Sequence, residues 1–269
     1  MESIKELRKL LQEEKVNPVG WKRPWGYKTF QRGPSIYITR ILIPTRITPT
    51  QITIAGFFVG LAGASLLSSI EWYIKLVGLV LLYIHILSDK VDGELARYRN
   101  THSLRGIFWD EINHLVIPPI AWISLAFGVI TYSAYDAYVL MAGIAGAFAL
   151  VFLRVIHSLP AQIYAKKYLK YRDSFVLPIE DTEHVGKKPN IFKIIVRIFH
   201  QFQDFFVIVA TLIIILIAER IYFPDYIFHP LLGPAMTIFS ILWTLFVIEN
   251  IIKKSRTIER EIGRIASSH

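Results

Sequence analysis

Six apolar runs govern what this chain can become. They cover Ile52–Leu67, Trp72–Leu87, Leu115–Ala134, Ala137–Ile156, Phe205–Ala218 and Leu231–Ile248, each about 15–20 residues and close to the span of a bilayer core. One run alone reads equally well as a buried helix of a soluble protein. Six in a chain of 269 residues make that reading untenable and predict an all-α integral membrane protein with six transmembrane helices. Composition agrees, with 53% hydrophobic residues and a mean hydropathy of +0.42. The fifth run is short, so its ends are the least defined.

Basic residues orient the chain. The segment to Ile47 holds ten Lys and Arg, Lys90–Arg105 four, Ser158–Gln201 eight, and the tail after Ile252 five. The short loops around Glu71, Ser133 and Pro224 hold almost none apart from Arg220. By the positive-inside rule, both termini, the loop near Asn100 and the long basic segment are expected in the cytoplasm, an N-in/C-in topology. The net charge of +9 follows from that asymmetry and from attraction to anionic lipid headgroups. Because the charge lies along membrane boundaries, nucleic acid is not an expected partner. The absence of cysteine excludes disulfides and thiolate metal sites. MESIKELRKLLQEEKV lacks the apolar core of a cleavable signal peptide, so targeting is expected to rest on the first spanning helix.

Three regions are expected. Residues 1–48 form a cytoplasmic interfacial segment, 49–255 a six-helix transmembrane domain, and 256–269 a basic cytoplasmic tail. Within the first, Ile4, Leu7, Leu10 and Leu11 share one face of an amphipathic helix suited to the membrane surface or to a partner helix. Ser35 is expected to cap a second surface helix, SIYITRILI, ending at Pro44. Residues 158–202 form the longest polar stretch, ending in a basic amphipathic helix, IFKIIVRIFHQF. No internal repeat is visible.

The stretch DKVDGELARYRNTHSLRGIFWDEINH, residues 89–114, carries the chemistry. Residues three or four apart share a helix face, so Asp89 with Asp92, and Asp110 with His114, would meet if two helices are joined by the intervening loop. Carboxylates crowd against their own repulsion when a cation holds them, and hard oxygen ligands suit Mg²⁺ or Mn²⁺. At about 1.5 Å rise per residue, Asp110 lies roughly 6 Å and His114 roughly 12 Å into a helix opening at Gly106. The site then opens to the cytosol at headgroup depth. Pro118 and Pro119 are expected to kink that helix. Glu111 points about 100° from the Asp110–His114 face, and His85 is read as a buried residue.

This stretch resembles the signature of the CDP-alcohol phosphotransferase family, D-x2-D-G-x2-A-R-x8-G-x3-D-x3-D. Seven of eight fixed positions match: Asp89, Asp92, Gly93, Ala96, Arg97, Gly106 and Asp110, while His114 stands where the family has aspartate. RITPTQIT, ahead of the first span, is similar to a TPN-like turn common in the family. The resemblance implies a membrane enzyme of phospholipid biosynthesis that transfers a phosphatidyl-type group from a CDP-activated lipid to a small alcohol, phosphorylated or not, and releases CMP. It further implies two Mg²⁺ or Mn²⁺ ions on Asp89, Asp92 and Asp110, and a CDP pocket shaped by Gly93, Ala96, Arg97, Ser103 and Gly106. His114 takes the place of the catalytic base, the expected assembly is a homodimer, and the active site faces the cytoplasm. Arg154 is the candidate ligand for the acceptor, with Arg105, Arg40 and Lys166 as further candidates. Two other functions fit parts of the pattern. A catalytically silent scaffold fits the missing aspartate, and an ion-coupled transporter fits intramembrane carboxylates, although transporters place them between repeats near the midplane.

Overall fold

The computed structural model describes residues 2–16, 23–130, 135–168, 201–224 and 229–267, and every regular element among them is helical. Two short helices, α1 (Ile4–Val16) and α2 (Arg32–Leu42, entered through a π-turn at Tyr27–Gln31), precede six long ones. These are α3 (Pro49–Leu66), α4 (Trp72–Arg99), α5 (Leu104–Gly128), α6 (Asp136–Ile163), α7 (Phe205–Tyr222) and α8 (Leu232–Ser267).

Local chemistry fixes the helix ends near the signature. Thr48 and Gln51 form a reciprocal capping box, with Pro49 in the first turn of α3. Asn100 ends α4 in the left-handed conformation (φ 50°), a backbone state asparagine tolerates. Three residues later Ser103 caps α5 by accepting from the Gly106 amide at 2.9 Å. Arg99 ties the α2–α3 connection down by donating to the carbonyls of Leu42 (3.0 Å), Thr45 (2.8 Å) and Ile47 (2.6 Å).

α3 packs chiefly on α4, α5 lies against both α3 and α6, and α6 lies along α8. The first contact depends on two glycines. A Cβ on Gly63 would stand 2.8 Å from the Gly78 carbonyl oxygen, and one on Gly78 2.7 Å from the Gly63 oxygen, so the backbones meet directly. The core between α5 and α8 is aromatic. Trp122 and Trp243 meet edge to face at 4.5 Å, and their indole N–H groups donate to Ser240 Oγ (2.9 Å) and the Phe202 carbonyl (2.8 Å). Phe58, Ile84, Phe127, Phe148, Ile214 and Leu245 face outward and exposed, the surface of a protein bathed in lipid rather than water.

Four of the long helices are long and apolar enough to cross a membrane: α3, α6 with its following turn, α7 and most of α8. α4 and α5 carry the signature residues, and α4 also carries Lys75. The Lys75 side chain is fully buried against the Ser69 and Ile70 carbonyls and His229 Nε2, and His229 Nδ1 lies 2.7 Å from Glu219 Oε2.

Other expectations are corrected in detail. Ser35 caps nothing; it lies within α2, which starts at Arg32, and its hydroxyl is taken by Glu94. Pro118 and Pro119, where a kink is expected, fall inside α5, which runs on to Gly128. α1 is not simply laid on a surface, because Leu7 and Leu11 are buried against Ile36 while Leu10 stays exposed. The basic stretch from 169 to 200, including IFKIIVRIF, and the last two residues of the tail lie outside the described residues.

Candidate active site

The last turns of α4 and the first turns of α5 bring Asp89, Asp110 and His114 together. One ligand atom from each lies within 4.8 Å of the others, and His114 Nε2 stands 3.8 Å from Asp89 Oδ1 and 3.6 Å from Asp110 Oδ1. Lys90 pairs with Asp89 and balances its charge. The two carboxylates offer the oxygen donors that a hard divalent cation prefers, whereas an imidazole nitrogen suits softer metals better.

Asp92 sits one helical turn on but is not in that trio. It is 8% exposed and accepts a 2.6 Å hydrogen bond from Thr53 Oγ1 on α3. Gly93 stays open around its α-carbon, with the Arg97 guanidinium 3.4 Å from where a Cβ would lie. Arg97 Nε donates to the Leu11 carbonyl of α1 at 3.1 Å, whereas its Nη2 is buried without a protein partner. Ala96 shares that helical end. Gly106 is pressed by Ser103 Oγ and Thr50 Oγ1, which would meet a Cβ at 3.0 and 3.3 Å. Ser103 thus serves the fold, since it caps α5 and shares a 3.1 Å hydrogen bond with Thr50.

A cavity of about 290 Å³ opens beside the trio, lined in part by Gln31, His85, Asp89, Lys90, Asn113, His114 and Arg154. His85 is buried in its wall, with Nδ1 2.9 Å from the Gly56 carbonyl. Arg154 reaches the cavity from α6, and its guanidinium holds Glu111 through contacts of 2.8 and 3.2 Å. That pairing engages the Glu111 carboxylate with a cation. Arg105 is exposed and is not among the lining residues; Arg40 and Lys166 likewise stay outside it.

Glu94, inside the signature but at one of its variable positions, organises the N-terminal segment. Its side chain is 0% exposed and accepts from Arg32 Nη1 (2.9 Å), Gln12 Nε2 (2.8 Å), Ser35 Oγ (2.7 Å) and Thr39 Oγ1 (2.7 Å). Burial opposes the Arg32 charge, but Tyr27 and Glu94 outweigh it, so its pKa lies above the ordinary arginine value. Sequence reasoning passed over Glu94, Gln31 and Asn113. A charged residue at a helix position facing inward was the available signal for Glu94, and it becomes readable only once the α1–α2 segment is known to cover that face.

Two solved structures share this fold. The phosphatidylinositol phosphate synthase of Mycobacterium tuberculosis in apo form is 20% identical, with a TM-score of 0.50 over 81% of this chain and 94% of that one. The same synthase with CDP-DAG bound is 18% identical, with a TM-score of 0.52 over 84% of this chain and 94% of that one. Among curated proteins none matches the sequence. The sequence model of the CDP-alcohol phosphatidyltransferase family matches residues 46–259, a span that holds the Thr48–Gln51 cap, the Asp89–Asp110–His114 trio and, Gln31 apart, the lining of the cavity beside it, so this integral membrane protein belongs to the CDP-alcohol phosphatidyltransferase family.

Proposed function

We propose that this chain transfers a phosphatidyl group from a CDP-activated diacylglycerol to a small alcohol, with His114 as the general base. The observation that carries the reading is the convergence of Asp89, Asp110 and His114 beside a cavity that Asp89 and His114 line. A relative of the same fold has been solved with CDP-DAG bound, which supports a CDP-lipid donor here.

In this reading the acceptor hydroxyl gives its proton to His114 Nε2. The freed oxygen bonds to the lipid-side phosphorus of the diphosphate, and the bond from that phosphorus to the bridging oxygen breaks. CMP leaves with the electron pair. Asp89, Asp92 and Asp110 would hold Mg²⁺ or Mn²⁺, whose charge would offset that of the diphosphate. Gly93, Ala96 and Gly106 keep the backbone close to the nucleotide, and Arg97 offers its unpartnered Nη2 to a phosphate or cytidine oxygen. The pairing of Glu111 with Arg154 supports His114 over Glu111 as base.

The distances of His114 to both carboxylates favour one further reading, in which Nε2 is itself a metal ligand. The two separate experimentally, because loss of a ligand raises the metal concentration required and loss of a base lowers turnover at saturating metal. Both termini and the α4–α5 loop are placed in the cytoplasm by the distribution of basic residues, with six spans including α4 and α5; homodimeric assembly rests on the family resemblance. The test is mass-spectrometric detection of a new phosphatidyl product, matched by CMP, from purified protein given CDP-diacylglycerol and an alcohol panel. No product with any alcohol, from folded protein, leaves the scaffold reading.

A further inference from the structure

We infer that a groove between α1 and the π-turn ahead of α2 binds the headgroup of an anionic phospholipid, and that its occupancy tightens the hold on the CDP-lipid by fixing α1 beside Arg97. The binding site stands by itself; its effect on the CDP-lipid rests on the transferase reading above.

The groove has a volume of about 490 Å³ and shares no lining residue with the cavity beside the trio. Sites that hold small ligands run to roughly 300–1,000 Å³. Arg8 and Lys9 reach it from α1 and Lys28 from the π-turn, against a single carboxylate, Glu13. All three basic side chains are exposed. Among the described residues neither Lys9 nor Lys28 is hydrogen-bonded or ion-paired, and Arg8 stands over the Tyr37 ring at 5.9 Å. Like charges gathered on one groove are stabilised by a shared anion. A phosphodiester suits them, because its unprotonated oxygens accept charge-assisted hydrogen bonds from ammonium and guanidinium groups together.

The surroundings favour a lipid over free phosphate. Leu10 follows Lys9, Phe30 lies two residues after Lys28, and both are exposed, as are Trp25 and Ile41. α1 and α2 pack on the signature end of α4, where the apolar run gives way to charge, so this face meets the headgroup layer. Basic heads beside exposed aromatic and aliphatic groups make up an interfacial lipid contact. Near an anionic membrane surface each Lys or Arg contributes roughly fivefold in affinity.

The groove is wired to the signature. Gln12, 5% exposed, forms part of its wall and donates through Nε2 to the Arg32 carbonyl and to Glu94 Oε1, both at 2.8 Å. One residue earlier, the Leu11 carbonyl accepts from Arg97 Nε at 3.1 Å. A phosphate bridging Arg8 and Lys9 to Lys28 draws α1 onto the turn and keeps the Leu11 carbonyl on Arg97. The guanidinium then meets the CDP-lipid already oriented, so less ordering is left for the substrate to impose and KM falls while kcat stays.

Binding is tested first, without turnover. Native mass spectrometry of the purified full-length protein is run with phosphatidylglycerol or phosphatidylcholine of the same chains, and with inorganic phosphate as competitor. Phosphatidylglycerol should bind at least tenfold more tightly. Lys9→Gln combined with Lys28→Gln should erase the preference, whereas Lys5→Gln with Arg256→Gln, which removes the same charge elsewhere, should keep it. Equal binding of the two lipids, or a preference that survives in the Lys9/Lys28 variant, overturns the inference. Displacement of the lipid by millimolar phosphate assigns the groove to a soluble anion and overturns it too. Turnover is then followed as CMP release in phosphatidylcholine nanodiscs with and without phosphatidylglycerol. KM for CDP-diacylglycerol should fall about threefold or more with the anionic lipid in wild type and in the Lys5/Arg256 variant, and stay unchanged in the Lys9/Lys28 variant. The same fall in all three proteins reduces the effect to bulk attraction and overturns the coupling. Selective binding with no CMP in any disc removes the transferase reading and leaves the lipid site standing.

Discussion

Thr53 on α3 donates a 2.6 Å hydrogen bond to Asp92 on α4, linking the start of the first long helix to the acidic end of the second. That bond fixes one oxygen of the Asp92 carboxylate and so orients a residue assigned to the metal. A hydrogen bond to a charged group contributes about 1.5–3 kcal/mol. Thr53→Val, which keeps the shape and removes the donor, should therefore lower kcat/KM or raise the Mg²⁺ requirement by about tenfold or more. A metal titration of CMP release checks it, and a variant indistinguishable from wild type would show that the bond has no part in the site.

Glu94 is expected to matter for the fold rather than for chemistry. Removing one partner of a buried ion pair typically costs about 3–5 kcal/mol, and Glu94→Ala leaves Arg32 buried with only Tyr27 and the Lys90 carbonyl nearby. The α1–α2 segment should loosen first, seen as faster proteolysis before Thr48 and a lower Tm in detergent. Wild-type protease resistance would rule out this role.

Gly63 and Gly78 set the spacing of α3 and α4. A Cβ at Gly63 meets backbone atoms of α4, which cannot turn aside, so Gly63→Val should separate the helices and displace Thr53 from Asp92. The expected outcome is a large fall in folded protein by size-exclusion chromatography. Normal yield with normal activity would mean that the helices are less closely opposed than described.

How much of this was legible beforehand follows from where the information sits. The meeting of Asp89, Asp110 and His114 could be read from spacing, because four-residue intervals and one short loop leave helices little freedom. The caps at Thr48 and Ser103 rest on local chemistry but were not read from the sequence. Glu94, Gln31 and Asn113 were not legible, because their partners lie on helices distant in sequence and only packing brings them near. Ser35 was misread as a cap for the same reason: its hydroxyl has a long-range partner, Glu94, that outcompetes the local one. The Glu111–Arg154 pair spans 43 positions and is invisible to any periodicity.

His114 is expected to act by taking a proton. A positioned base contributes on the order of 10²–10⁴-fold, so His114→Ala should lose about that much turnover at saturating Mg²⁺ while still binding the CDP-lipid. His114→Asp should keep substantial activity. An aspartate titrates near 3.9 and a histidine near 6.5 in unperturbed form, and a base works only when deprotonated, so the acid limb of the pH profile should move to lower pH. A raised Mg²⁺ requirement with unchanged maximal turnover in His114→Ala would assign the residue to the metal instead. Glu111→Gln measured alongside should not reproduce the loss.

The Asp89–Asp110–His114 trio is expected to support metal-dependent release of CMP. The direct test follows CMP from purified protein supplied with CDP-diacylglycerol and an alcohol, before and after EDTA, and again after added Mg²⁺. Wild type should release CMP, stop in EDTA and recover with Mg²⁺, while Asp89→Asn and Asp110→Asn, folded by size-exclusion chromatography, should fail in all three conditions. CMP release that persists in EDTA and survives both substitutions would contradict it.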